Sequence, residues 1–172
     1  MLLLNKIRDD ETLKEFVDDT CCEEGICAKF DSKIDKNDYI IIKVDKFYES
    51  KKLSNTPKAI DCLIVLKCQD KSETYALYLV ELKKQKGKDL DPSGIPEKFR
   101  NVEKFVGESE VKRYLNRHFE KIELFLVSKM SMRDLGLESK LFMNEKIEFK
   151  GQKKRIMPKS ANETIIYPYY SK

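Results

Sequence analysis

The chain has 172 residues, the size of one ordinary domain and too short for two well-buried cores. Charged residues reach 37%, but apolar residues at 41% fall into periodic runs, so a folded chain rather than a disordered one is expected. A net charge of +4, from 34 Lys+Arg against 30 Asp+Glu, is too small to define a polyanion-binding protein by itself, although basic residues cluster at 83–88, 98–117 and 150–159.

The opening Met1-Leu2-Leu3-Leu4 is followed at once by Asn5, Lys6 and Arg8, and no apolar stretch approaches membrane-spanning length. No signal peptide or membrane anchor is expected. Five cysteines, Cys21, Cys22, Cys27, Cys62 and Cys68, form an odd set without paired CxxC spacing. Such a set reads as reduced thiols in a cytoplasmic protein rather than as a disulfide framework or a thiolate–metal centre.

In chain order, Leu13, Phe16, Val17 and Cys21 recur at helical spacing behind Asp10 as N-cap, which predicts an amphipathic helix over 10–21. The β-branched run at 39–47 predicts a strand. Two further strands, 59–68 and 74–84, flank the polar residues 69–73, a length suited to a hairpin loop. Pro96 suits the first turn of a helix running through Phe99, Val102, Phe105 and Val106 to a stop at Gly107. A second helical piece is predicted over 109–118 and another strand over 121–128. Beyond Met130 the pattern predicts a short helix near 133–142, a strand near 146–150 and an aromatic end at Tyr167, Tyr169 and Tyr170. The whole is read as one domain over 1–172, with a core at about 10–128 and a C-terminal extension at 129–172.

A hairpin symmetric about Lys71 places Asp61 opposite Glu81 and Leu63 opposite Leu79. Opposed residues share a face, with Cβ atoms about 4.5–5.5 Å apart, so the two carboxylates repel unless a cation lies between them. A hard divalent ion held by carboxylates, water and a substrate phosphate supplies that cation. Lys83, two residues past Glu81, returns to the same face while Leu82 points away. An ammonium there orients or helps deprotonate an attacking water and offsets charge developing on a phosphate.

Asp61 in Pro57-Lys58-Ala59-Ile60-Asp61, the tripeptide Glu81-Leu82-Lys83, and the order helix, three strands, helix, strand resemble the PD-(D/E)XK, or restriction-endonuclease-like, phosphodiesterases over roughly 10–128. Ile60 stands where that motif has proline. The resemblance implies an α/β (α+β) fold, a central mixed β-sheet flanked by helices in αβββαβ order. It implies Asp61, Glu81 and Lys83 as catalytic residues, with Mg²⁺, or Mn²⁺ as substitute, held by Asp61, Glu81 and the backbone carbonyl of Leu82. Family members also place a Glu on the first helix, here Glu24 or Glu23. Lys84, Gln85, Lys86 and Lys88 after the tripeptide, with Arg100 and Lys104 on the next helix, are candidate phosphate contacts.

The implied activity is endonucleolytic cleavage of DNA in restriction or defence, by a homodimer or as a subunit of a larger restriction system. The alternatives are a repair or junction-resolving nuclease, or a non-catalytic subunit that binds nucleic acid or a partner. His118 is the only histidine, so histidine-metal nucleases, paired-histidine ribonucleases and Ser-His-Asp hydrolases lack their parts. No Walker-type or dinucleotide glycine loop is present.

Overall fold

The computed structural model describes residues 2–84, 90–129 and 136–170, without the side chains at 137–139 and 141. The expected helix over 10–21 is not formed. A short helix α1 (Leu3–Arg8) precedes it, Leu13–Phe16 makes one 3₁₀ turn, and β1 (Val17–Asp18) pairs antiparallel with β5 (Tyr39–Lys43). Two causes are legible: Val17 is β-branched, and Asp18-Asp19-Thr20 compete with a helical backbone through their own side chains. Asp10 does cap, but it caps the 3₁₀ turn.

Its Oδ1 accepts the N–H groups of Thr12 and Leu13 at 3.0 and 2.9 Å, while Oδ2 accepts from Arg113 and from the Tyr114 hydroxyl. Asp10→Ala therefore unties the N-terminal segment from the helix carrying Arg113 and leaves buried donors unpaired. We expect a loss of about 2 kcal/mol, read as a lowered urea midpoint.

Three small strands follow β1: β2 (Cys22–Glu23) and β3 (Ile26–Cys27) form a hairpin, and β4 (Lys29–Phe30) pairs with the late strand β11 (Thr164–Ile166). The strand expected over 39–47 ends at Lys43, where α2 (Val44–Ser50) begins. The missed signal is the i, i+3, i+4 spacing of Val44, Phe47 and Tyr48, all buried.

The central hairpin matches expectation. β6 (Cys62–Lys67) and β7 (Tyr75–Lys83) are antiparallel with Leu63 opposite Leu79, Cys62 opposite Val80 and Lys67 opposite Tyr75, the register of a turn centred on Lys71. The helix expected from Pro96 to Gly107 is broken at Asn101 into α3 (Gly94–Arg100) and α4 (Val102–Gly107), and α5 (Ser109–Leu115) follows. β8 (Lys121–Ser128) returns parallel to β7. After α6 (Leu137–Asn144) and β9 (Lys146–Phe149), β10 (Gln152–Ser160) inserts between β8 and β9, parallel to the first and antiparallel to the second. Residues 152–160 were not expected as a strand, since their charge and Pro158 hide the pattern and only Ile156 is fully buried.

The protein is thus mixed α/β, built on a seven-stranded mixed sheet in the order β1-β5-β6-β7-β8-β10-β9 and flanked by helices. The helices lie on one face, where Phe47, Phe99, Phe105, Val111 and Leu115 pack on Leu63, Leu79 and Leu124. Among the described residues the opposite face is covered by non-helical chain, with Cys21, Ile26, Ile34, Ile165 and Ile166 against Ile64, Tyr78 and Val127. No described helix is long and apolar enough to cross a membrane.

The reading of all cysteines as reduced is overturned. Cys21 is bridged to Cys62 and Cys22 to Cys27, which leaves Cys68 as the free, buried cysteine. Pairing was hidden because one partner lies 41 residues away and connectivity is not readable from spacing. The sequence argument for a cytoplasmic location rested on free thiols and no longer applies.

Candidate metal centre

Asp61 is the last residue before β6, and three backbone links hold it there. The Asn101 side-chain amide donates to the Lys58 carbonyl at 2.8 Å, and the Val44 N–H donates to the Asp61 carbonyl at 3.1 Å. The third link comes from β7. Continuing the hairpin register from Cys62 and Val80 sets Asp61 against Glu81, and the Leu82 N–H donates to Asp61 Oδ2 at 2.5 Å. Asp61 is 5% exposed and Glu81 is fully buried.

Glu81 and Lys83 are two apart on β7 and share the helix-covered face. Lys83 Nζ lies 2.9 Å from Glu81 Oε1, and Lys98 Nζ from α3 lies 2.6 Å from the same oxygen. Burial alone works against the charged form of Lys83, but the carboxylates of Glu81 and Asp61 outweigh it and hold its pKa above the ordinary lysine value. Lys83 is therefore held as an ammonium at neutral pH. Lys98 was not singled out by sequence; nothing in its spacing separates it from the other cations.

The second half of the site comes from elements the sequence reading did not assign. Carboxylate oxygens of Glu23 on β2, Asp45 on α2 and Asp61 all lie within 4.8 Å of one another. Burial, then the charge of Glu81, then hydrogen bonding with Glu23 push the Asp61 carboxyl up to about 8, against the opposing pull of the Leu82 N–H. Burial likewise raises Asp45, with Glu23 and Glu49 adding to it and the Lys46 N–H and the Lys43 charge opposing. Two buried carboxylate oxygens, Asp45 Oδ1 and Glu81 Oε2, have no hydrogen-bond donor. Unpaired buried acceptors are rare in folded proteins and ask for an explanation.

No family model, curated protein or solved structure matches this chain.

The site therefore rests on its own geometry. A cleft of about 270 Å³ opens at it, lined by Glu23, Glu24, Leu82, Lys83 and Lys84. The acid expected from a first helix comes instead from a hairpin: Glu23 joins the oxygen cluster, while Glu24 sits in the β2–β3 turn and lines the cleft. Leu82 meets Asp61 through its N–H. Lys84 is exposed at the cleft mouth. Arg100 is engaged by Glu145, and neither it nor the exposed Lys104 is among the residues described as lining this cleft. Gln85, Lys86 and Lys88 lie outside the described residues.

The donor set is all oxygen, which suits Mg²⁺ or Mn²⁺ better than a thiophilic metal. The raised carboxyls reflect burial and like charges crowded together in low dielectric, which protons relieve. The residues that would suit a hard divalent ion are Glu23, Asp45 and Asp61; the expected ligand Glu81 is not in that oxygen group, and its Oε1 is taken by Lys83 and Lys98.

Proposed function

We propose that this chain is a Mg²⁺-dependent endonuclease hydrolysing DNA phosphodiester bonds, of the PD-(D/E)XK type, acting in restriction or defence. The observation that carries the reading is the pairing of an oxygen-only cluster, Glu23, Asp45 and Asp61, with an acid–lysine couple, Glu81 and Lys83, across one hairpin. The run β6, β7, then α3 to α5, then β8 supports the same family resemblance, although α2 stands between β5 and β6.

A bound Mg²⁺ or Mn²⁺ polarises a phosphoryl oxygen and acidifies water. Lys83, held as an ammonium by Glu81, donates to the water or to the phosphate and offsets negative charge as it develops. Lys98 adds a second positive charge on the same carboxylate, and exposed Lys84 is placed to meet a neighbouring backbone phosphate. One such centre cuts one strand, so double-strand cleavage needs a homodimer or a larger partner carrying a second centre.

A second reading has one observation in its favour. Glu81 Oε1 is already bonded by two ammoniums, as in a structural ion-pair knot, which suits a non-catalytic subunit that binds nucleic acid or a partner. Incubation of plasmid and single-stranded DNA with Mg²⁺ or Mn²⁺ separates the two. The wild type is expected to cleave, and Lys83→Ala and Asp45→Asn to lose about 10²–10³ in rate. Salt-sensitive binding with no cleavage selects the binding module, and cleavage undiminished in both variants removes this centre as its source.

A further inference from the structure

Glu23 is the exposed member of the cluster, where Asp61 is buried. β2 and β3 contribute two residues each, with Cys22 opposite Cys27 and Glu23 opposite Ile26, joined by Glu24 and Gly25 at φ 46° and 79°. Positive φ at both turn positions matches the tight type I′ hairpin, and Gly25 takes it without a Cβ penalty. A hairpin of two residue pairs does not hold itself together in water. Covalent links and the buried Ile26 hold this one.

The two bridges differ in place and access. Cys21–Cys62 fastens the entry of the hairpin to the first residue of β6, next to Asp61, and both its cysteines are fully buried. Cys22–Cys27 crosses the hairpin itself, immediately before Glu23, and its cysteines are half-buried. Between them sits the buried Lys43, whose Nζ donates to the Cys22 carbonyl at 3.2 Å and contacts Cys62 Sγ at 3.7 Å. Cys22 is thus anchored through its backbone, and Glu23 is the first residue beyond the anchor.

We propose that the Cys22–Cys27 bridge is a redox control on the cation site: closed, it holds the Glu23 carboxylate beside Asp45 and Asp61; opened by a dithiol reductant, it releases that ligand. The inference rests on the cation-site reading above. One thiolate of the reductant attacks Sγ of Cys22 or Cys27, breaking the S–S bond and expelling the other sulfur as a thiolate that takes up a proton. The second reductant thiol attacks the mixed disulfide, frees the remaining cysteine, and the reductant leaves as a disulfide, two electrons having passed to the protein. Cys21–Cys62 lies out of direct reach and keeps the opened hairpin near the site, so re-oxidation restores it.

The test uses the full chain and Mn²⁺ as probe, followed by electron paramagnetic resonance, with alkylation and mass spectrometry counting thiols. Oxidised protein alkylated after denaturation should be modified at Cys68 alone, and mild dithiol treatment of the folded protein beforehand should add Cys22 and Cys27. The Mn²⁺ Kd should rise about tenfold on reduction, the scale of losing a supporting interaction at a metal site, and fall again on re-oxidation. Cys22→Ser/Cys27→Ser should show the weaker Kd under both conditions, with an unchanged circular dichroism spectrum. Glu23→Gln should bind weakly and lose the redox dependence. Equal Mn²⁺ affinity in the two redox states, or alkylation of Cys22 and Cys27 in the untreated protein, overturns the redox control and leaves the cation site standing. No Mn²⁺ binding in either state overturns the cation site itself.

Discussion

Asp61→Asn is expected to stabilise the metal-free protein at pH 8 while abolishing cleavage. The folded-state carboxyl is pushed up to about 8 from the ordinary value of 3.8, by burial and by Glu81. The folded protein therefore keeps a proton that the unfolded chain has already released across that interval. Stability is fully present below the lower value and falls as pH rises through the window. Asparagine carries no charge at any of these pH values and retains an oxygen acceptor for the Leu82 N–H, so its advantage should be absent at pH 4 and largest at pH 8.

Relaxation and water entry reduce the full linkage energy, and we expect about 2 kcal/mol, a rise of roughly 5 °C in Tm for a chain of this size. Mg²⁺ should stabilise the wild type at pH 8 and leave the variant unmoved, since metal competes with the retained proton. Cleavage should drop by about 10³ or more. Thermal melts with chelator at the two pH values decide the stability claim; parallel pH profiles for wild type and variant would sink it.

Glu81→Gln should have the opposite sign, although Glu81 faces Asp61 across the same hairpin. Lys83 and Lys98, whose side chains are only 23% and 22% exposed, both rest on Glu81 Oε1. Replacing that carboxylate by a neutral amide leaves two partly buried ammoniums without their anion, a change that costs about 2–4 kcal/mol when one partner of a buried ion pair is removed. Pairing it with Lys98→Gln should recover part of the loss, and the double-mutant cycle measures how much belongs to the pair. An unaltered urea midpoint for Glu81→Gln would show that water, rather than Glu81, solvates these lysines. The two acids are alike in type and facing in position, yet one is short of positive charge and the other holds two cations.

The half of the site that sequence makes legible is the half built by one hairpin. Two continuous apolar runs and five polar residues between them leave a single centre of symmetry, so Leu63 meets Leu79 and Asp61 meets Glu81. β8 was equally readable because 121–128 is a nearly continuous apolar run. Asp45 was not, because the β-branched run before it masks a helix whose start is set by the Val44 bond to the Asp61 carbonyl, a tertiary contact. Glu23 depends on two cysteine pairings, and Lys98 on the break at Asn101 that aims α3. Each of these is fixed by a partner distant in the chain, where local propensity carries no information.

β10 gives residues 152–160 a standing that the division into core and extension does not convey. It lies between β8 and β9 and carries the parallel ladder on from Leu124 to Ser128. Without it, β8 would end the sheet as a long apolar margin of unpaired amides and carbonyls, the kind of template on which a second chain polymerises. Residues 152–160 thus cover the edge of β8 and leave the four-residue β9, with its exposed lysine and glutamate, as that margin of the sheet.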